Sequence, residues 1–232
     1  GLLAVFLRRL LDETPVFEEM RRRSELVRGL PLRVVLRGHR RAVVVSMLLT
    51  WVLTAAIVVV ILMTPTLIRN LYGISPAQAL AANSVATFML SIGCVAFGAL
   101  ADRIGAERTL FAGCAALALA TYALYFALPW LPGQLFVLYG LAGFCVGVVA
   151  VVPVLLVRLF PAAVRFSGIS FAYNIAYAVF GGLTPLAISL AMREWVSAPA
   201  HYVAALCCIG MAVALFGGTR GFAGTGEAAA AA

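Results

Sequence analysis

Lysine is missing from this 232-residue chain, and charged residues of every kind make up only 11% of it. Soluble domains carry about 25% charged residues, so a water-exposed globule of this size has too little polar surface to cover itself. Acids are scarcer than bases: nine aspartates and glutamates, none inside the long apolar runs. Paired carboxylates, a Walker loop, an HExxH helix and a GxSxG elbow are all lacking, so the chain shows no catalytic constellation and does not read as an enzyme. Histidine occurs only at His39 and His201, in different segments. The five cysteines (Cys94, Cys114, Cys145, Cys207, Cys208) have neither zinc-type nor redox CxxC spacing and read as small core residues. No metal and no cofactor is expected.

What remains is apolar. Hydrophobic residues account for 64% of the chain and mean hydropathy is +1.06, which makes lipid the main solvent. The net charge of +8 rests on seventeen arginines. On such a chain basicity is a signal of topology rather than of affinity for nucleic acid.

A hydrocarbon core about 30 Å thick takes about 20 apolar residues to cross as a helix. Charge-free runs place spans at 42–68 and, after a loop through Tyr72-Gly-Ile-Ser-Pro76, at 77–100. The 49 charge-free residues from Thr109 to Val157 are too long for one helix. Pro129-Trp-Leu-Pro-Gly-Gln134 divides them into 109–128 and 134–157. Further runs at 166–192 and 199–217 bring the count to six. Residues 1–7 read as the end of a truncated preceding helix, 8–41 as a basic cytoplasmic linker, 42–217 as a six-helix transmembrane bundle and 218–232 as a disordered tail. In the linker, Thr14 and Pro15 suit a helix start.

Arginine placement supports that count independently. Ten arginines precede the first full span; the connections after it carry one, two, none, two and one, and the tail carries one more. Summed over alternate connections this is fifteen against two. The positive-inside rule then puts both ends in the cytoplasm.

Polar residues inside the spans recur at helical spacing. Ser46, Thr50 and Thr54, with Trp51 beside them, mark a face of the first span; Asn83 or Ser84, Thr87 and Ser91 mark one of the second; Ser170, Tyr173, Asn174, Tyr177 and Gly181 mark one of the fifth. Such faces either line a polar cavity or hydrogen-bond neighbouring helices, and spacing alone leaves both open. Gly140, Gly143 and Gly147 in the fourth span permit close backbone approach, and Pro153 is placed to kink it. Two connections expected in the cytoplasm carry charge. One is Gly98-Ala-Leu-Ala-Asp102-Arg103-Ile-Gly105-Ala-Glu-Arg108, whose glycines suit a tight turn and whose Asp102 can accept hydrogen bonds from arginines or a helix N-terminus. The other is Arg158-Leu-Phe-Pro161-Ala-Ala-Val-Arg165-Phe-Ser-Gly168.

These two strings, in this order, resemble the major facilitator superfamily. The first is similar to that family's G-x-x-x-D-R-x-G-x-x-R loop between helices eight and nine, although Ala106 and Glu107 stand where the loop often carries further basic residues. The string from Phe160 to Gly168, followed by Ala172-Tyr-Asn-Ile-Ala-Tyr-Ala-Val-Phe-Gly-Gly-Leu-Thr-Pro185, resembles helix eleven of the metabolite:proton symporter branch, which includes proline/betaine, citrate and 2-oxoglutarate carriers. Leu11-Asp-Glu-Thr-Pro15 fits that branch's central linker.

The resemblance implies an all-α fold, a six-helix bundle forming the C-terminal half of a twelve-helix carrier. Such a carrier would move a small organic acid or zwitterionic osmolyte together with H⁺ by alternating access. Its partners would be an N-terminal six-helix half, the lipid bilayer and the solute, in a bacterial inner membrane. The first and fourth spans would face the cavity, with Thr50, Trp51, Thr54 and Tyr139 as cavity candidates, joined by Tyr173, Asn174 and Tyr177 from the fifth. Gly98, Asp102, Arg103, Gly105, Arg108 and Arg165 would form a cytoplasmic gate. The alternatives are a small six-span channel and a non-transporting membrane scaffold or sensor.

Overall fold

A computed structural model describes residues 31–216; the expectations for residues 1–30, including the Thr14 cap, and for the tail lie outside them. Backbone that crosses hydrocarbon must satisfy its own N–H and C=O groups, which one chain segment does by coiling into a helix. The described residues form helices and connections, with no strand among them. A short helix α1 (Pro31–Gly38) leads into α2 (Arg40–Tyr72), α3 (Pro76–Ile104), α4 (Ala106–Ala127), α5 (Pro132–Leu159), α6 (Ala162–Ala191) and α7 (Ala198–Leu215). The last six are long and apolar enough to span a membrane, matching the expected count.

Most of these helices overrun the charge-free runs, because a helix does not stop where charges begin. Thus α2 takes in Arg40, Arg41 and Arg69, and α6 takes in Arg165. Local chemistry sets the ends instead. Gly73 closes α2 in the left-handed region at φ 66°, its N–H donating to the Arg69 carbonyl at 3.1 Å. Ser75 then caps α3, accepting from the Gln78 N–H at 3.3 Å, with Pro76 at the first helical position. Gly105, at φ 94°, parts α3 from α4.

Helix α3 packs on α5, α6 on α2 and α4 on α7, while α5 also touches α4 and α2 touches α7. Exchanging α2 with α5, α3 with α6 and α4 with α7 maps this set of contacts onto itself, so the bundle is two three-helix units related by an internal pseudo-two-fold. Helices α2 and α5 are the most enclosed of the six, α3 and α6 the most exposed. Each exposed helix buries one narrow seam of mostly small residues: Ala79, Ala82, Ala86 and Gly93 on α3, and Gly168, Ala172, Ala176 and Thr184 on α6.

The expected glycine contacts divide. A Cβ at Gly143 would lie 2.2 Å from the Ala86 carbonyl oxygen, and one at Gly147 would lie 2.3 Å from the Gly93 carbonyl carbon. Both glycines let α5 touch the backbone of α3, where dispersion holds helices together without a hydrophobic drive from lipid. Gly140 is different: a Cβ there makes ordinary contact at 3.4 Å. Ahead of Pro153, residues Gly147–Ala150 tighten into a 3-10 turn, as expected where the proline ring crowds the carbonyl four residues back.

Candidate functional site

On α6 the structure brings Tyr173, Asn174 and Tyr177 to one surface. Asn174 and Tyr177 are exposed and Tyr173 half-buried. The tyrosine rings stack with centroids 5.7 Å apart and planes 22° from parallel. The Asn174 Nδ2 donates to the Ser170 carbonyl at 2.7 Å, which fixes the amide and turns its other atoms outward. Helix α3 offers a second exposed polar row, Ser84, Thr87 and Ser91. Each of its hydroxyls donates to the carbonyl four residues back, at 3.1, 2.9 and 3.3 Å respectively. Asn83 turns inward from that row to Tyr139.

The candidates on the two enclosed helices lie elsewhere. Thr50 and Thr54 are wholly buried, and their hydroxyls donate to the Ser46 and Thr50 carbonyls, both at 2.8 Å. A Cβ at Gly181 would be 3.5 Å from the Thr54 methyl, so this face is packed toward α6 in the present conformation. Tyr139 is also fully buried, its hydroxyl 2.7 Å from the Val60 carbonyl oxygen and 2.6 Å from the Asn83 side-chain amide. Both neighbours, the Val60 carbonyl and the Asn83 Oδ1, are acceptors, so the single Tyr139 hydroxyl proton is shared between them.

Trp51 is half-buried at the meeting of three helices. Its indole stacks on Phe180 of α6, centroids 4.1 Å apart and planes 5° from parallel. Its Nε1–H donates to the Tyr202 hydroxyl of α7 at 2.9 Å; Tyr202 stands 2.8 Å from the Thr184 hydroxyl, which donates to the Phe180 carbonyl at 2.5 Å. The donors run in one direction, from indole to carbonyl, with every proton used. Sequence reading misses Phe180, Thr184 and Tyr202. The available signal was that each buried Trp N–H and Tyr O–H needs a partner.

At the opposite ends of these helices, the two charge-bearing turns differ. Gly105 makes the first turn possible: φ 94° is open to glycine at little cost. Thr109 then locks it, donating through both its N–H (3.1 Å) and its hydroxyl (2.9 Å) to the Gly105 carbonyl. Gly98 is not a turn residue; it lies within α3, and a Cβ there would meet open space. Asp102, Arg103 and Arg108 are exposed, and Asp102 forms no ion pair among the described residues. In the second turn the Phe160 ring covers Gly168, where a Cβ would come within 2.5 Å of it, and the Arg165 Nε donates back to the Phe160 carbonyl at 3.2 Å. Among the described residues no group of three metal-ligating side chains occurs.

Comparison with known proteins agrees with this architecture. Residues 1–185 match the Major Facilitator Superfamily. A citrate-proton symporter of Klebsiella pneumoniae is 32% identical over 215 residues, 87% of this chain and 46% of its own length. A putative proline/betaine transporter of Staphylococcus aureus is 26% identical over 224 residues, 93% of this chain and 47% of its own. An ectoine/proline transporter of Corynebacterium glutamicum is 27% identical over 205 residues, 84% and 41%. The chain thus spans about half the length of the curated relatives it matches. Six apolar spanning helices, the charge-bearing turn with its obligatory Gly105, and the family match together make this a multi-pass membrane protein of the Major Facilitator Superfamily, in a branch of transporters and symporters rather than enzymes.

Proposed function

We propose that the chain is the C-terminal half of a proton-coupled carrier for a small organic acid or a zwitterionic osmolyte such as proline or betaine, working by alternating access in a bacterial inner membrane with both ends in the cytoplasm. One observation carries this reading. The two least buried helices, α3 and α6, are also the ones that present polar rows outward: Ser84, Thr87 and Ser91 on one, Asn174 and Tyr177 on the other. The α3 hydroxyls are satisfied within their own helix, but Asn174 bonds only the Ser170 carbonyl and the Tyr177 hydroxyl has no hydrogen-bond partner among the described residues. Polar groups facing hydrocarbon without partners are costly, so the α6 surface above all suits a water-filled cavity or a second six-helix half better than lipid. That half is the proposed partner, and it would also supply the titrating carboxylate, since the six spans described here contain no acid within their charge-free runs.

In this reading Tyr173, Asn174 and Tyr177 contact the solute, and Trp51 borders it. Thr50, Thr54 and Tyr139 reach the cavity only when α2 and α5 shift against their neighbours. Asp102, Arg103, Arg108 and Arg165, with Gly98 and Gly105, belong to the cytoplasmic gate. That Asp102 is exposed and forms no ion pair among the described residues supports a role in which the other half supplies its partner in one of two states.

The test is uptake of labelled proline, glycine betaine, ectoine and citrate by cells producing the full-length carrier that contains this chain, with and without a protonophore. Accumulation of one solute class, lost when the proton gradient collapses, is the expected result. A carrier that reaches the membrane and accumulates none of them overturns the reading.

A further inference from the structure

We propose that the bundle end opposite the Asp102 turn holds a binding site for a quaternary ammonium group. Tyr72 at the end of α2, Phe126 at the end of α4, Trp130 in the connection after it, and Glu194 and Trp195 between α6 and α7 line one hollow of about 410 Å³. Two of the chain's three tryptophans are here, 85% and 66% exposed. Exposed indoles at a helix end are commonly explained as an interfacial belt. A belt, however, needs neither a concave arrangement nor an acid. Here five aromatic residues, Tyr125 among them, line the same hollow as Glu194, the one acid at this end among the described residues. Its carboxylate forms no ion pair among them, although Arg193 is its neighbour in sequence.

The chemistry suits a cation with methyl groups in place of N–H donors. Aromatic faces attract such a cation through their negative quadrupole, most strongly on Trp and Tyr, and a carboxylate adds direct charge neutralisation. Tyr72 and the backbone of the two indole-bearing turns are held in place. The Tyr72 hydroxyl is tied to the Tyr125 carbonyl at 2.8 Å. The backbone N–H groups of Trp130 and Trp195 close turns on the Ala127 and Ala191 carbonyls at 3.0 and 2.9 Å. None of the lining residues belongs to the cavity or gate proposed above, so the inference does not depend on the transport reading.

The ammonium group has two natural sources, a free solute and the headgroup of a choline lipid. The test uses the full chain purified in detergent free of choline lipids, with tryptophan fluorescence followed during titration with choline, tetramethylammonium and the neutral choline isostere 3,3-dimethylbutan-1-ol. Both cations should give a saturable change, the isostere binding about tenfold more weakly or worse, as loss of a desolvated cation–π attraction requires. Glu194→Gln, on an exposed turn, should weaken choline about tenfold while leaving the thermal melt in place. Trp195→Leu should do the same, with Trp130 left to report. Repeating the titration in nanodiscs separates the sources: weaker choline binding in phosphatidylcholine than in phosphatidylglycerol assigns the site to the lipid headgroup, and equal binding assigns it to the solute. No saturable change, equal binding of the neutral isostere, or unaltered choline affinity in folded Glu194→Gln overturns the proposal.

Discussion

Tyr139 supplies Val60 with the hydrogen bond that Pro65 cannot. Residues Ala56–Met63 of α2 form a π-helical turn, in which the Thr64 N–H reaches the Val59 carbonyl five residues back. The next bond in that register would run from residue 65 to Val60, and Pro65 has no N–H to give. The Val60 carbonyl is left unsatisfied in the most enclosed helix of the bundle until the Tyr139 hydroxyl reaches it from α5 at 2.7 Å. A phenol on one pseudo-two-fold helix thereby completes the backbone of its counterpart.

Tyr139→Phe should therefore destabilise the bundle by about 1–3 kcal/mol, the cost of leaving a buried acceptor unmade. Thermal unfolding in detergent reads it as a lower melting temperature. Pro65→Ala restores an N–H, so the double variant should lose less than the sum of the two single changes. Strict additivity would show that the Tyr139 contact does not depend on the proline.

Glycine substitutions should separate sharply by position. Gly143→Ala places a methyl 2.2 Å from the Ala86 carbonyl oxygen and should cost about 1–3 kcal/mol as the helices are pushed apart. Gly98→Ala and Gly182→Ala meet nothing within 4 Å and should be neutral or stabilising by up to about 1 kcal/mol, since glycine within a helix costs backbone entropy. Melting temperatures of the three variants side by side decide this.

The pattern of these glycines was visible in the sequence; which of them touch a neighbour was not. Charge-free runs reveal six spans because crossing lipid is a constraint each segment meets alone, and arginine placement repeats the message on independent residues. Helix pairing is set between segments, so Trp51 and Tyr202, 151 residues apart, carry no shared local signal. The hydroxyl rows were ambiguous for a physical reason. Thr50 and Thr54, fully buried, and Thr87, exposed, all bond the carbonyl four residues back, so identical spacing serves a packed face and an open one. The π turn needed Pro65, Thr64 and a tyrosine on another helix together, and the proline alone does not foretell it.

Asp102→Asn keeps the shape of the α3–α4 turn and removes its charge. If that charge favours one state of the carrier through a partner in the other half, uptake by the full-length protein should fall about 5-fold or more, the span of a typical coupling free energy. The amount of protein in the membrane should stay unchanged, because Asp102 is exposed and forms no ion pair among the described residues. Unaltered uptake kinetics would remove Asp102 from the gate. Gly105→Ala should instead reduce the amount of folded protein, since φ 94° strains any residue with a Cβ.

Asn174→Leu and Tyr177→Phe test whether the α6 surface meets the solute. Asn174 has one amide proton committed to the Ser170 carbonyl, and its remaining polar atoms face out. Replacing it with leucine should raise the apparent KM for the carried solute about tenfold, the worth of one or two lost hydrogen bonds to a polar ligand. Tyr177→Phe removes a hydroxyl but keeps the ring that stacks on Tyr173, so it isolates the polar contribution and should have a smaller effect on the same constant. Both residues are exposed, and neither anchors the seam against α2, so the melting temperature should change little. A lowered melting temperature with KM intact would return both side chains to helix packing.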